Sequence, residues 1–246
     1  MKGLLTLVCL IVFTVSHAQP SDSLNRKNLI KLDLTSYWLY RNAVNVTYER
    51  IINANRSFAF TAGYQEFPRT ASLGSNIDVK SDQKTNGFKL AGEYRFYLAK
   101  ENKFKAPRGV YIGPYISFHH FGNERIIEVD NNGTLEEAIL NTKFDIFNIG
   151  FQMGYQFVIN DRWTIDLVFA GPSVSNYRFT ATLGGDYTFS TEDIQNEVIL
   201  DLIDRFPLLE EVIDESEASS RGKLDVWSYG YRYQLHVGYL FGKKPN

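Results

Sequence analysis

Residues 227 to 241 read WSYGYRYQLHVGYLF, with Trp227, Tyr229, Tyr231, Tyr233, Leu235, Val237, Tyr239 and Phe241 at alternate positions and small or polar residues between them. A two-residue period sustained this long belongs to a β-strand with two chemically different faces. The aromatic face cannot be left to water. It must lie against lipid or against a large core, and these two solutions are different proteins.

The alternation recurs along the chain. Phe147 to Ile159 places Phe147, Ile149, Phe151, Met153, Tyr155, Phe157 and Ile159 against Asn148, Gly150, Gln152, Gly154 and Gln156. Residues 162 to 171 give Trp163, Ile165, Leu167 and Phe169, residues 108 to 121 give Val110, Ile112, Ile116 and Phe118, and residues 86 to 98 give Phe88, Leu90, Tyr94 and Phe96. Shorter runs follow Ile30, Leu32, Leu34 and Trp38; Val44, Val46 and Tyr48; and Phe58, Phe60, Ala62 and Tyr64. The pattern predicts eight strands.

Connection lengths give a second signal. Links 39 to 42, 53 to 56 and 160 to 161 are tight and 100 to 107 is modest, whereas 67 to 85, 122 to 141 and 172 to 225 are long. With one exception, the short first link, tight and long connections alternate between the two ends of the strands. An even strand count with short turns at one end and long loops at the other predicts an all-β, eight-stranded antiparallel up-and-down transmembrane β-barrel. Trp38 and Trp227 fall at one rim and Trp163 at the other with outward parity, as an aromatic girdle requires.

The amino terminus fits this location. Lys2, the apolar run Leu4 to Val15 and Ser16-His17-Ala18 read as a signal peptide over residues 1–18, leaving a domain at 19–246. The apolar run is shorter than the ~20 residues a spanning helix needs. The single cysteine, Cys9, lies inside that segment, so the mature chain offers no disulfide and no thiolate. A net charge of −2 with dispersed basic residues excludes an electrostatic footprint for nucleic acid.

Parity alone leaves one rival, a secreted lipocalin-like barrel with its apolar set turned inward. The polar set argues against it, being rich in Gly, Gln, Tyr and Ser rather than in solvated charge. Its few ions are Lys31, Asp33, Glu49, Lys89, Glu93, Arg95, Asp166 and Arg232, balanced in sign. Balanced charges among small residues suit a crowded lumen in which each ion must find a partner. A tight first link predicts that Lys31 stands opposite Glu49, with Asp33 adjacent. Tyr37, Tyr97, Tyr111 and Tyr115 are expected to fill the same interior, because an eight-stranded barrel has room only for its own side chains.

The segments NLIKLDLTSYWLYRNAVNVTYERII (28 to 52), FKLAGEYRFYLA (88 to 99), RGVYIGPYISF (108 to 118) and FNIGFQMGYQFVINDRWTIDLVFAGP (147 to 172) resemble a family of small outer-membrane β-barrel proteins of uncharacterised function, common in Bacteroidota. More loosely the chain is similar to the OmpA, OmpX and OmpW groups of eight-stranded barrels. The resemblance implies fold and location, and it brings no catalytic residues.

The residues supply few candidates for chemistry. His119 is expected to point inward, His120 to point outward at the same rim, and His236 to sit in the lumen. A serine hydrolase site would need Ser117 beside His120, but these have opposite parity. His119 and His120, as neighbours on one strand, cannot share a metal. No catalytic, cofactor-binding or metal-binding residue is therefore assigned, and no cofactor is expected. The last long connection, 173–225, contains TEDIQNEVILDLIDRFPLLEEVIDESE (191 to 217), with ten carboxylates against one Arg205. Ile194, Val198, Ile199, Leu202, Ile203 and Phe206 share one helical face there. This predicts an acidic amphipathic helical segment that folds over the barrel mouth or docks a partner. The expected function is a non-enzymatic, monomeric scaffold of the cell outer membrane. Its partners would be outer-membrane lipid and lipopolysaccharide, and another envelope protein through loop 186–222. The alternative is a small-solute or hydrophobic-ligand channel of the OmpW kind.

Overall fold

The computed structural model describes residues 26–67, 77–131, 134–185 and 223–242, together with 188, 190–192, 194, 195 and 198. The expected signal peptide, and most of the expected acidic helix, lie outside the described residues.

The chain forms β1 (Asn28–Asp33), a short helix α1 (Leu34–Leu39), β2 (Arg41–Asn53), β3 (Arg56–Glu66), β4 (Ile77–Tyr97), β5 (Gly109–Asn131), β6 (Thr134–Ile159), β7 (Trp163–Ala170), β8 (Pro172–Gly184), β9 (Lys223–Tyr231) and β10 (Gln234–Phe241). All pairings are antiparallel. The sheet order is β5-β4-β3-β2-β1-β10-β7-β6-β8-β9, and the further pairing of β5 with β6 closes eight of these strands into a ring. The expected eight-strand count is thus met. The seventh alternating run is β7, and the strand that follows it after Gly171, β8, falls in the stretch expected to be a loop and also lies along β6. The eighth is split at Arg232 and Tyr233 into β9 and β10.

The expected chemistry of the two faces holds over the ring. Ile116, Phe151, Phe60 and Trp163 lie exposed on its outside, and Phe151 and Tyr229 are 69% and 75% exposed. Thr47, Glu49, Gln156 and Asp166 are buried inside. Turns at 54–55 and 160–162 and the 98–108 connection close one end, here termed the base. Ala106 N donates to Ala54 O at 2.7 Å across that opening. Leu29, Ile51, Tyr97, Ala106, Tyr111, Val158 and Leu240 form an apolar plug there.

At the other end the strands outrun the ring, and the two faces exchange chemistry. Above His119 the inner residues Phe121, Ile127, Leu140, Phe144, Tyr177 and Phe179 form a buried apolar cluster. Outward positions carry Lys84, Glu124, Glu137, Lys143 and Arg178, as expected of a sheet standing in water. This extension corrects the expected loops. Residues 122 to 131 and 134 to 141 are strands paired in register from Gly122↔Lys143 to Asn131↔Thr134. Residues 172 to 184 and 223 to 231 pair from Pro172↔Tyr231 to Thr180↔Lys223, so the 173–225 loop narrows to 185–222. The alternation does not stop at these points. Its apolar phase moves to the other face, which reads as irregular when only one phase is followed.

The first strand also ends earlier than expected. Asp33 accepts a hydrogen bond from Ser36 N at 3.0 Å and starts α1 as its N-cap. Trp38 and Tyr37 therefore sit on α1, 63% and 67% exposed, and Tyr37 does not fill the interior. Ile194 and Val198, from the segment expected to be helical, are buried in the apolar cluster of the extension.

Candidate functional site

The eight charges expected inside the ring are all there: Lys31, Glu49, Glu93, Arg95, Asp166 and Arg232 are joined in one network, and Asp33 and Lys89 form a separate pair. Lys31 Nζ donates to Glu49 Oε2 at 2.8 Å and to Asp166 Oδ2 at 2.6 Å. Arg95 Nη1 donates to the same Asp166 oxygen at 2.7 Å, and its Nε and Nη2 reach Glu93 Oε2 at 2.9 and 2.6 Å. Tyr97 and Ser57 donate to Glu49 Oε1 at 2.9 and 2.6 Å, and Tyr111 to Asp166 Oδ1 at 2.6 Å. Each carboxylate is thus neutralised and hydrogen-bonded, the condition under which charge can be buried without a large penalty. The Arg95 guanidinium also lies 4.3 Å from the Tyr111 ring centroid, a cation–π contact. His236 is buried beside this network, 3.9 Å from Asp166.

The register differs from expectation. Thr47, not Glu49, lies across from Lys31, and Leu29 lies across from Glu49. The ion pair still forms because the long lysine side chain spans the diagonal to the next inward position. The connection to β2 is 34–40, which holds α1, rather than the tight 39–42 link from which the expected register was drawn.

Above the network two further cations mark a second level. Lys89 Nζ donates to Asp33 Oδ2 at 2.9 Å and to Ser36 Oγ at 3.4 Å. Arg232 Nη2 donates to Glu93 Oε1 at 2.8 Å and also to Gln152, and its guanidinium stacks 3.6 Å from the Tyr115 ring centroid. Arg232 enters the interior at the break between β9 and β10. Gly171 permits this, since a Cβ there would meet Arg232 Cγ at 2.5 Å, and Gly171 O accepts from Arg232 N and from Tyr115 Oη, each at 2.9 Å.

Between this level and the aromatic cluster of the extension lies a cavity of about 290 Å³. Its inner wall includes Lys89, Tyr115, Ser117, Asn148 and Ser173, and its outer side is formed by Leu39, Tyr231 and Tyr233. Asn148 Nδ2 donates to Ser117 Oγ at 2.9 Å, and Ser175 Oγ donates to Asn148 Oδ1 at 2.6 Å. His119 lines the cavity and is hydrogen-bonded to Gln65 at 2.9 Å. His120 faces outward and bonds Asp145 at 2.6 Å, so Ser117 and His120 lie on opposite faces, as their parity predicts.

Residues 4–178 match the protein family described as "Protein of unknown function (DUF3575)". The chain belongs to this family. No curated protein matches the chain. The matched stretch of this DUF3575 protein carries Lys31, Asp33, Glu49, Lys89, Glu93, Arg95 and Asp166 and ends within β8, so of the eight interior charges only Arg232 comes from beyond it.

Sequence reasoning did not find α1, nor the roles of Thr35 and Ser36 beside the cavity. The Asp33-x-x-Ser36 spacing is the signal that could have found them, since a short acidic side chain three residues before a donor is a helix-start pattern. The cavity itself had no sequence signal, because it arises where two strand breaks and a helix meet.

Proposed function

We propose that this protein is a non-enzymatic outer-membrane β-barrel protein. It crosses the bilayer with its eight-stranded ring and presents the extension, with the 185–222 connection, to other envelope components outside the cell. One observation carries this reading: the chemistry of the two faces exchanges at a single level of the sheet. Below His119 the sheet is apolar outside and charged inside, which suits lipid around a self-paired lumen. Above it the inside is apolar apart from the buried Arg125, and the outside carries charges with Leu135 and Ile139 among them, which suits water. On β5 the outward apolar run from Val110 to Phe118 is nine residues long, within the ~9–11 residues with which a tilted strand crosses a bilayer.

A channel along the axis is the weaker reading. The Lys31–Glu49–Arg95–Asp166 network fills the middle of the ring and the plug around Tyr97 and Tyr111 fills the base. Outer-membrane lipid and lipopolysaccharide are the partners this reading requires, and another envelope protein could dock on the 186–222 segment. The chain is proposed to act as a monomer, and nothing in it calls for a cofactor.

The test is fractionation of the native protein, with intact mass and gel mobility. The expected result is a mature chain starting at Gln19, recovered with the outer membrane, that migrates differently before and after heating. Full recovery in the soluble fraction without detergent would overturn the reading, and stepwise conductance in planar bilayers would replace the closed lumen with a channel.

A further inference from the structure

The wall of the ring is incomplete on one side of the cavity. β1 ends at Asp33, so β2 has no strand partner on that side beyond Val46, and β9 pairs with β8 alone. Among the described residues, α1 stands on this side, packed against β2 and β10. Leu39, Tyr231 and Tyr233 line the cavity and are 50%, 57% and 59% exposed on the apolar outer face. The cavity therefore opens sideways onto that face rather than along the axis.

Its lining also has a sign. Among the described residues Lys89 and Arg232 are its two charged lining residues, and no carboxylate lines it. Their partners Asp33 and Glu93 lie outside the lining. Arg232, which lines the cavity, has its Nε buried with no hydrogen-bond partner, a guanidinium donor left unspent. Away from bulk water such donors favour an anion strongly. A volume of about 290 Å³ lies near the lower end for ligand pockets, ~300–1,000 Å³, and suits a headgroup rather than a long chain.

We propose that this cavity binds the anionic headgroup, carboxylate or phosphate, of a single-chain amphiphile that enters sideways between β9 and β2, while its acyl chain stays on the apolar outer face beside Leu39 and Tyr233. The lateral route rests on the membrane reading above; the cationic pocket does not.

The test uses the full mature protein in neutral detergent micelles, with dodecanoate, dodecyl phosphate, dodecanol and acetate as probes in titration calorimetry. At least one of dodecanoate and dodecyl phosphate is expected to bind ten-fold or more tighter than both dodecanol and acetate, and the tighter of the two identifies the headgroup. Arg232→Gln should weaken that binding about ten-fold, and Ser117→Trp should abolish it by filling the cavity. Dodecanol or acetate binding as tightly as the tighter of the two anionic amphiphiles overturns the proposal, and these wild-type comparisons stand even where a variant does not fold. Dodecanoate bearing a mid-chain diazirine should label peptides containing Tyr37–Leu39 or Tyr231–Tyr233. Labelling spread evenly around the outer face would overturn lateral seating. Vesicle flotation separates the two readings: protein that floats but shows no anion preference refutes only this inference, whereas anion binding by a protein soluble without detergent refutes the membrane reading and the sideways route, and leaves the pocket.

Discussion

Lys31 Nζ lies 2.8 Å from Glu49 Oε2 although Thr47 is the residue across the ladder from Lys31. The pair is held by the interior rather than by strand register. Lys31 also reaches Asp166 on β7, and Arg95 on β4 reaches the same carboxylate, so four strands that are not all neighbours, β1, β2, β4 and β7, are tied through one set of charges. Such a network can resist ovalisation of the ring, because a change in its cross-section separates buried ions.

Removing one member leaves its partners uncompensated. Glu49→Gln is expected to cost about 3–5 kcal/mol, the range for breaking a buried pair. Glu137→Gln, which removes an exposed partner of Lys80 on the extension, should cost at most about 1 kcal/mol. Thermal unfolding of both variants in the same detergent checks this. Equal shifts would mean that the network does not hold the ring.

The exchange of faces makes an opposite pair of expectations for one strand. Phe151→Arg places a charge on the outer apolar face of β6, and on the proposed membrane reading a cation near the bilayer midplane costs about 2–4 kcal/mol. Leu135→Arg lies on the same strand and on the same outward parity but in the extension, at 64% exposure, and should change stability by less than about 0.5 kcal/mol. Urea midpoints for folding into vesicles distinguish the two. A similar penalty at both sites would place them in the same medium.

Much of this was legible from residue order alone, for a physical reason. Inside a narrow ring every inward position is forced to be small, paired or aromatic, so the strict period marks all eight interior charges from Lys31 to Arg232. What was lost follows the same logic in reverse. The period of two continues through Phe121–Val129 and Tyr177–Ala181, but the apolar residues move to the inner face, and a search for one phase ends each strand too early. The helix α1 was hidden because Leu34, Thr35 and Trp38 fit a strand as readily as a helix, and the deciding interaction is the local cap from Asp33 to Ser36.

That cap does double duty, which gives a sharper expectation. Asp33 Oδ1 accepts from Ser36 N while Oδ2 accepts from Ser36 Oγ and from Lys89 Nζ. Asp33→Asn can keep the cap but loses the charge, whereas Ser36→Ala loses a hydroxyl contact and keeps both cap and charge. Asn is therefore expected to destabilise by about 3 kcal/mol or more, as for an orphaned buried lysine. Ala should cost about 0.5–1.5 kcal/mol, the usual contribution of one hydrogen bond. The reverse order in detergent melts would show that α1, not the ion pair, holds this side of the wall.

The connection between β8 and β9 is the last case. Ring closure requires β10 to meet β1 and β7, and neither contact involves residues 186–222. Deleting that segment should leave the ring folded and heat-modifiable. The extension should not be indifferent, because Ile194 and Val198 are buried against its apolar cluster and each aliphatic burial contributes about 1.5–3 kcal/mol. The deletion is therefore expected to bind a hydrophobic dye and to be cut by protease within 122–141 and 172–184, while the ring fragment survives. Loss of the heat-modifiable band would mean that ring and extension fold as one cooperative unit, and an extension as resistant as the intact chain's would mean that the Ile194 and Val198 contacts add nothing to its stability.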